Sequence, residues 1–421
     1  MSTISPKVIY WGKTLSKFIS VQLVIQALAF ASGIFVVRTL EQQQYAYFTI
    51  ANTMQGTMNL LADSGISSGL TAIGGKVWQD RYRLGQLINT ALQLRIFLAA
   101  ISIVTVTPIL LWMLISNGAS VIYAIWITAA VLVGLNAQLT VGVLEVVPRL
   151  HSQISRVQNL ELIPTISRLL LLLGAYFTIW NAAVAVLTAS ISLLLKRLVL
   201  SHWVKDSVDI KAPAHKEDRK EISKIIKDQA PTTVFYCIQG QLTVWLISIF
   251  GNTTSIAEIG ALGRLGMIFT IISSVMGNIV LPSFARCQSP TLLGRRYWQI
   301  LGIYCSFALV LVGFAGFFPG ELLWILGKQY AHLKNEVLLI VLSSVTQSFG
   351  SILWSINATK AWTQYTWLFI PIIITTQVLL IVFLNISTVR GVILFNLFSI
   401  LPALFLNFYM TYKGIKAYES S

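Results

Sequence analysis

The chain has 421 residues, of which 56% are hydrophobic and only 11% charged. A soluble globular domain carries about 25% charged residues, so too few remain here to wet the outer faces of a soluble helical array. The net charge of +15 would suit a nucleic-acid partner, but it is confined to short segments between apolar runs. That placement argues for a polytopic membrane protein and against nucleic acid.

Apolar runs able to cross about 30 Å of hydrocarbon recur along the whole length. Spans are expected at roughly 18–38, 44–63, 88–115, 119–144, 159–180, 182–201, 230–250, 257–282, 297–318, 335–356, 365–385 and 390–410. Lys7, Lys13 and Lys17 precede the first run, and Ala29-Phe30-Ala31 imitates a signal-peptidase site. The run continues to Val37, too long for a secretory core, so it reads as an uncleaved first span. Arg38 ends it, where an interfacial anchor is the simplest reading.

Span 2 is the least apolar. Thr49, Asn52, Gln55, Asn59 and Asp63 recur at steps of three and four, which puts them on one helical face. Polar groups facing lipid would be unsatisfied, so the stripe faces protein or water, either as interhelical hydrogen bonding or as a cavity wall. Asp63, at the inner end, is the one acid read near a span interior, and simple solvation also accounts for it.

Three arginines, Arg95, Arg168 and Arg264, fall inside apolar spans. Charge at membrane depth is costly and usually faces a water-filled path or a ligand. Arg95 is close enough to the inner end of span 3 to snorkel, so cavity lining and snorkelling both fit it. Arg168 lies deeper in span 5, beyond Pro164. Arg264 sits in GALGRLGMI, where Gly260, Gly263 and Gly266 permit close approach of a helix or a ligand. Guanidinium groups bind phosphate in bidentate fashion, which points to a phosphorylated cargo.

The long polar segment WVKDSVDIKAPAHKEDRKEISKIIKDQ divides the chain. It suggests an N-terminal six-helix lobe (1–203), a cytoplasmic amphipathic linker (204–229) and a C-terminal six-helix lobe (230–421). Ile222, Ile225 and Ile226 stand at helical spacing among lysines, so part of the linker is expected along the membrane surface. Span 7 carries Gln239, Gln241 and Thr243, corresponding to Gln22 and Gln26 of span 1. Span 10 carries Gln347, Ser351, Ser355 and Asn357, each more simply explained by packing. Gly313, Gly316 and Pro319 obscure the end of span 9.

With both termini inside, Arg38, Lys328, Lys334 and Arg390 are the only basic residues expected outside, apart from the three within spans. The others, Arg286 and Lys196 among them, fall on the inner side, as the positive-inside rule requires. Cys237, Cys287 and Cys305 and the four histidines form no ligand cluster. P-loop, nucleophile elbow, zinc motif and paired carboxylates are all missing, so no enzyme activity and no cofactor are expected.

Two passages carry a family likeness. Residues 36–76 resemble the first two spans of Wzx-type polysaccharide exporters through Arg38, Leu40, Tyr45, Asp63 and Gly65. Residues 239–286 resemble their spans 7 and 8 through Gly240-Gln241, Phe250-Gly251, Gly260, Arg264-Leu265 and Leu281-Pro282. The resemblance implies the multidrug/oligosaccharidyl-lipid/polysaccharide (MOP) flippase superfamily and an all-α membrane fold. That fold has about twelve helices in two six-helix lobes around a central cavity. It also implies that Arg264 matches a lipid-pyrophosphate-binding arginine of the related lipid II flippase, and that Arg38 lies at the mouth of the same cavity. Many relatives carry an acid near the position of Thr243. Its absence here leaves cation coupling through span 7 without a residue.

The expected activity is therefore flipping of an undecaprenyl-pyrophosphate-linked oligosaccharide across a bacterial cytoplasmic (inner) membrane for surface polysaccharide. A polysaccharide polymerase and a chain-length regulator are the implied partners, with membrane lipids around the spans. The candidate contacts are Arg264, Arg38, Arg168, Arg95, Asn52, Gln55, Asn59, Asp63, Gln239 and Gln241. The alternative is a drug or cation antiporter of the same superfamily, which would need acids at depth.

Overall fold

The computed structural model describes residues 6–151, 153–276, 280, 281, 284, 290–360 and 362–419; Pro282, Arg286 and Cys287 lie outside them. All regular structure among the described residues is helical. The chain divides into two compact units, residues 1–245 and 246–421.

The first unit begins with α1 (Pro6–Thr39), α2 (Gln42–Asp63), α3 (Ile66–Val77) and α4 (Arg81–Ser116). It continues with α5 (Val121–Leu144), the short α6 (Val146–Leu150), α7 (Ile154–Tyr176), α8 (Ala182–Val204) and most of α9 (Lys216–Phe250). Side-chain caps start several of these helices where the sequence supplies an oxygen. Asp80 accepts from Tyr82 N and Arg83 N, Ser120 from Tyr123 N, and Asn181 from Val184 N. Each satisfies amide donors that the first helical turn leaves open. The corner between α2 and α3 needs two left-handed residues, Ser64 (φ 33°) and Gly65 (φ 97°).

Small residues set the packing. A Cβ on Gly134 of α5 would stand 2.5 Å from both Gln55 Nε2 and Ser190 Oγ, so α2, α5 and α8 meet there only because that atom is missing. One end of the unit holds an apolar core of Leu84, Leu87, Ile88, Val143, Leu160 and Leu200, together with Ile222 of the linker.

The isoleucine face of the linker, expected against lipid, is turned into the protein. Ile222 is fully buried, and a Cβ on Gly69 of α3 would touch both Ile222 and Ile225. Before α9, the chain from Lys205 to His215 is stapled to α4. Asp209 N donates to Arg81 O (3.1 Å), Arg81 Nη2 to Lys205 O (2.6 Å), and Asn89 Nδ2 to Ile210 O (2.8 Å) and Ala212 O (2.6 Å). Arg83 closes the strap with a two-pronged ion pair to Asp218, whose side chain is only 3% exposed. The apolar stripe faces protein because α3 and α4 project far enough to cover it.

The second unit holds α10 (Thr253–Leu265), α11 (Ile268–Val275), α12 (Pro290–Phe317) and α13 (Pro319–Leu326). These are followed by α14 (Lys334–Thr359), α15 (Phe369–Phe383), α16 (Val389–Ser399) and α17 (Leu401–Glu419). Pro319 opens the short α13, a position where its missing N–H costs nothing. A buried polar trio joins α14 to α17: Asn357 Nδ2 donates to Asn407 O (3.0 Å), and Thr411 Oγ1 donates to Asn357 Oδ1 (2.8 Å). This is interhelical hydrogen bonding, the packing role expected for Asn357.

Among the described residues, nine helices are long and apolar enough to cross a membrane. Three further helical segments, α2, α7 and α10–α11, stand where spans 2, 5 and 8 were expected. They fall below that criterion because they are too polar or too short, and they carry most of the candidate site residues.

Candidate functional site

A cavity of about 240 Å³ opens inside the first unit between α1, α2, α7 and α8. Asn52 and Gln55 of α2 and Arg168 of α7 line it, with Ser32, Thr165 and Ser192. Steps of three on both α2 and α7 bring these side chains to common faces. The hydroxyl protons are already committed along their own helices. Ser32 donates to Leu28 O (2.9 Å), Thr165 to Glu161 O (2.7 Å) and Ser192 to Thr188 O (2.8 Å). Among the described residues, the guanidinium of Arg168 is the only charged group on the cavity wall. A concave polar wall with a single cation, among apolar spans, suits an anionic group.

Two turns further along α2, about 10 Å by helical rise, Asn59 and Asp63 meet Arg95. The Arg95 side chain is only 4% exposed, and its Nη1 lies 3.2 Å from Asp63 Oδ1. Its Nη2 donates to Asn59 Oδ1 at 3.1 Å, while Ser67 Oγ donates to Asp63 Oδ1 at 2.6 Å. A Cβ on Gly142 would stand 2.2 Å from Nη1, so α5 reaches the guanidinium only through a glycine. Arg95 therefore neither snorkels nor lines the Arg168 cavity. It is a buried ion pair that ties α4 to the end of α2.

Gln241 of α9 packs against α2, with Nε2 3.5 Å from where a Gly56 Cβ would be, and Gln239 lies half-buried on the same helix. Arg38 is exposed at the end of α1.

Arg264 belongs to the second unit and is half-buried in the last turn of α10. The helix expected over 257–282 breaks just beyond it. Gly266 N donates to Gly263 O, Met267 N to Arg264 O and Thr270 N to Met267 O, a tightened i→i−3 pattern that marks hinges. Arg264 thus sits at a helix C-terminus, where its cation complements the carbonyl ends. Interrupted helices of this kind recur at transporter sites.

The structure also brings out charges that sequence reading passed over. Lys196 lies within α8, 9% exposed, with Nζ 3.5 Å from Glu145 at the junction of α5 and α6. The charge count places it on the inner side, although it falls within the span expected at 182–201. Glu258 of α10 is buried, and His332 Nε2 lies 2.7 Å from its Oε1. An acid inside the apolar run TTSIAEIGALG was the available signal.

No protein-family model matches the chain, and no curated protein matches it in sequence. Its structure, however, is similar to solved transporters over nearly its whole length. A multidrug-resistance MATE-family transporter of the MOP superfamily, in its inward-facing conformation, superposes with a TM-score of 0.77 at 15% identity, covering 96% of this chain and 99% of that one. An outward-facing MATE transporter gives 0.65 at 15% identity over 97% and 96%. A MOP-superfamily transporter from Pyrococcus furiosus Vc1, described by a binding pocket of reversed polarity that suggests a different function, gives 0.66 at 16% identity over 97% and 96%. The chain has the all-helical fold of the MATE transporters of the MOP superfamily.

Proposed function

We propose that the protein is a flippase for undecaprenyl-pyrophosphate-linked oligosaccharide. It would move the lipid from the inner to the outer leaflet of a bacterial cytoplasmic membrane by alternating access, for surface polysaccharide assembly. The observation that carries this reading is the cavity holding Arg168 with Asn52 and Gln55. At about 240 Å³ it falls below the roughly 300–1,000 Å³ of sites that enclose a whole ligand. It therefore suits one group of a larger cargo, the pyrophosphate, with the saccharide and the prenyl tail elsewhere. Arg38 in the first unit and Arg264, beside the helix break of the second, are each proposed as further anion-binding positions. Gln239 and Gln241 of α9 are the polar surface offered to the saccharide.

A cation antiporter of the same fold would hold its cargo with carboxylates at depth. Asp63 and Glu145 of the first unit are instead paired to Arg95 and Lys196, and Glu258 of the second to His332. That pairing favours the anionic cargo.

The test is binding of undecaprenyl pyrophosphate to purified Arg168→Gln protein. A lost charge-assisted hydrogen-bond pair is worth about 1.5–3 kcal/mol, so affinity falls roughly 10- to 100-fold. Unchanged affinity in both Arg168→Gln and Arg264→Gln proteins overturns the reading.

A further inference from the structure

The outer face of the linker helix has a pattern that the transport reading leaves unused. Lys216, Lys220, Lys224 and Lys227 follow at steps of four, four and three, and all four are exposed. At about 100° per residue they fall within an arc of about 80°. Ile222, Ile225 and Ile226 occupy the opposite side, which is bound to the first unit. The helix cannot roll to bury the lysines, because Asp218 is held by Arg83 and Ile222 is in the core. Helix α9 then runs unbroken into the apolar segment Ala230–Phe250.

With Ala230 taken as the hydrocarbon edge and α9 along the membrane normal, that continuity ranks the lysines by depth. At about 1.5 Å per residue, the Cα atoms of Lys227, Lys224, Lys220 and Lys216 lie about 4.5, 9, 15 and 21 Å along the helix from Ala230. The headgroup layer is about 5–7 Å thick on each side of a bilayer, and charge is screened over about 8–10 Å. On that placement the Cα of Lys227 falls within the layer, the long side chain of Lys224 reaches back to it, and the other two stand progressively farther out. A groove of about 520 Å³ runs beside Lys220, Ser223, Lys224 and Lys227. Its two acids, Glu217 and Glu221, and the exposed Asp228 fall beside the lysine arc, at about 100–140° against its 0–80°, so the stripe itself stays wholly basic.

We infer that the lysine stripe is a docking surface for anionic phospholipid headgroups of the leaflet on the basic side of the protein. Basic residues just outside a membrane-spanning helix are attracted to such headgroups. Here the anchored strap holds them in register, and the depth gradient ranks them. The inference is independent of the cargo.

The experiment uses detergent-purified full-length protein and fluorescent phosphatidylglycerol at several salt concentrations. Wild-type affinity is expected to fall as salt rises. Each headgroup-level lysine contributes about fivefold, so Lys224→Gln with Lys227→Gln weakens binding about 25-fold. Lys216→Gln changes it less than twofold. Lys224→Arg with Lys227→Arg retains affinity and serves as the folding control. Phosphatidylcholine and millimolar inorganic phosphate are expected not to compete. Wild-type affinity in the double Gln variant overturns the proposal. So does a loss for Lys216→Gln equal to that of Lys227→Gln, which would mark an acidic protein partner instead. Matching loss of undecaprenyl pyrophosphate binding by the double Gln variant also overturns it, since the stripe would then belong to the cargo.

Discussion

Removing Asp63 is predicted to harm the protein more than removing its partner Arg95, although the two share one ion pair. At their separation of 3.2 Å, the attraction is about 5 kcal/mol for an effective dielectric of about 20. Asp63→Asn forfeits that attraction but leaves the guanidinium buried, with its side chain 4% exposed. Such an uncompensated buried charge costs about 3–5 kcal/mol. Arg95→Met loses the same attraction but also relieves the desolvation of the cation. The carboxylate left behind is 27% exposed and keeps its bond from Ser67, so water and Ser67 support it. The net cost is about 1–2 kcal/mol, including the orphaned Asn59 oxygen. The double variant is expected to be no worse than Asp63→Asn alone. Stability in detergent, followed by thermal or denaturant unfolding of all four proteins, gives the cycle. Arg95→Met as damaging as Asp63→Asn, or strictly additive effects, would refute the reasoning.

Three other outcomes follow from the same geometry. Gly142→Ala places a methyl group 2.2 Å from Arg95 Nη1 and is expected to cost about 1–3 kcal/mol by overpacking; adding Arg95→Ala should recover most of that loss in the same unfolding assay. Arg83→Gln uncouples Asp218 and loosens the strap, so proteolysis between residues 205 and 215 should accelerate while that of the α4–α5 connection stays constant. Gly263→Ala, whose Cβ would meet nothing within 4 Å, is expected to stabilise by up to about 1 kcal/mol through helix propensity, whereas Gly391→Ala meets Asn385 O and should destabilise.

Much of the helical architecture was legible because apolar length and loop charge report directly on span positions. The stripe on α2 was legible for a related reason: its period is the helix period, and α2 does turn Asn52 and Gln55 to one cavity. Pairings were not legible. Nothing local to Arg95 points to Asp63, since their approach depends on how α2 and α4 pack and on Gly142 in a third helix. The isoleucines of the linker were correctly read as one face, yet their partner was mistaken, because an apolar face does not specify lipid or protein. The break after Arg264 was also missed as a break. Its glycines were visible, but membrane helices tolerate glycine, and only the i→i−3 bonds reveal the break.

The central claim is that an arginine-lined cavity in the first unit holds a lipid pyrophosphate during flipping. The most direct measurement is leaflet exchange of an undecaprenyl-pyrophosphate-linked oligosaccharide in proteoliposomes, comparing wild type, Arg168→Gln and Arg168→Lys, each first shown to be folded. The account predicts exchange by the wild type, near-complete loss in Arg168→Gln and partial retention in Arg168→Lys. Wild-type exchange rates in both variants would contradict it.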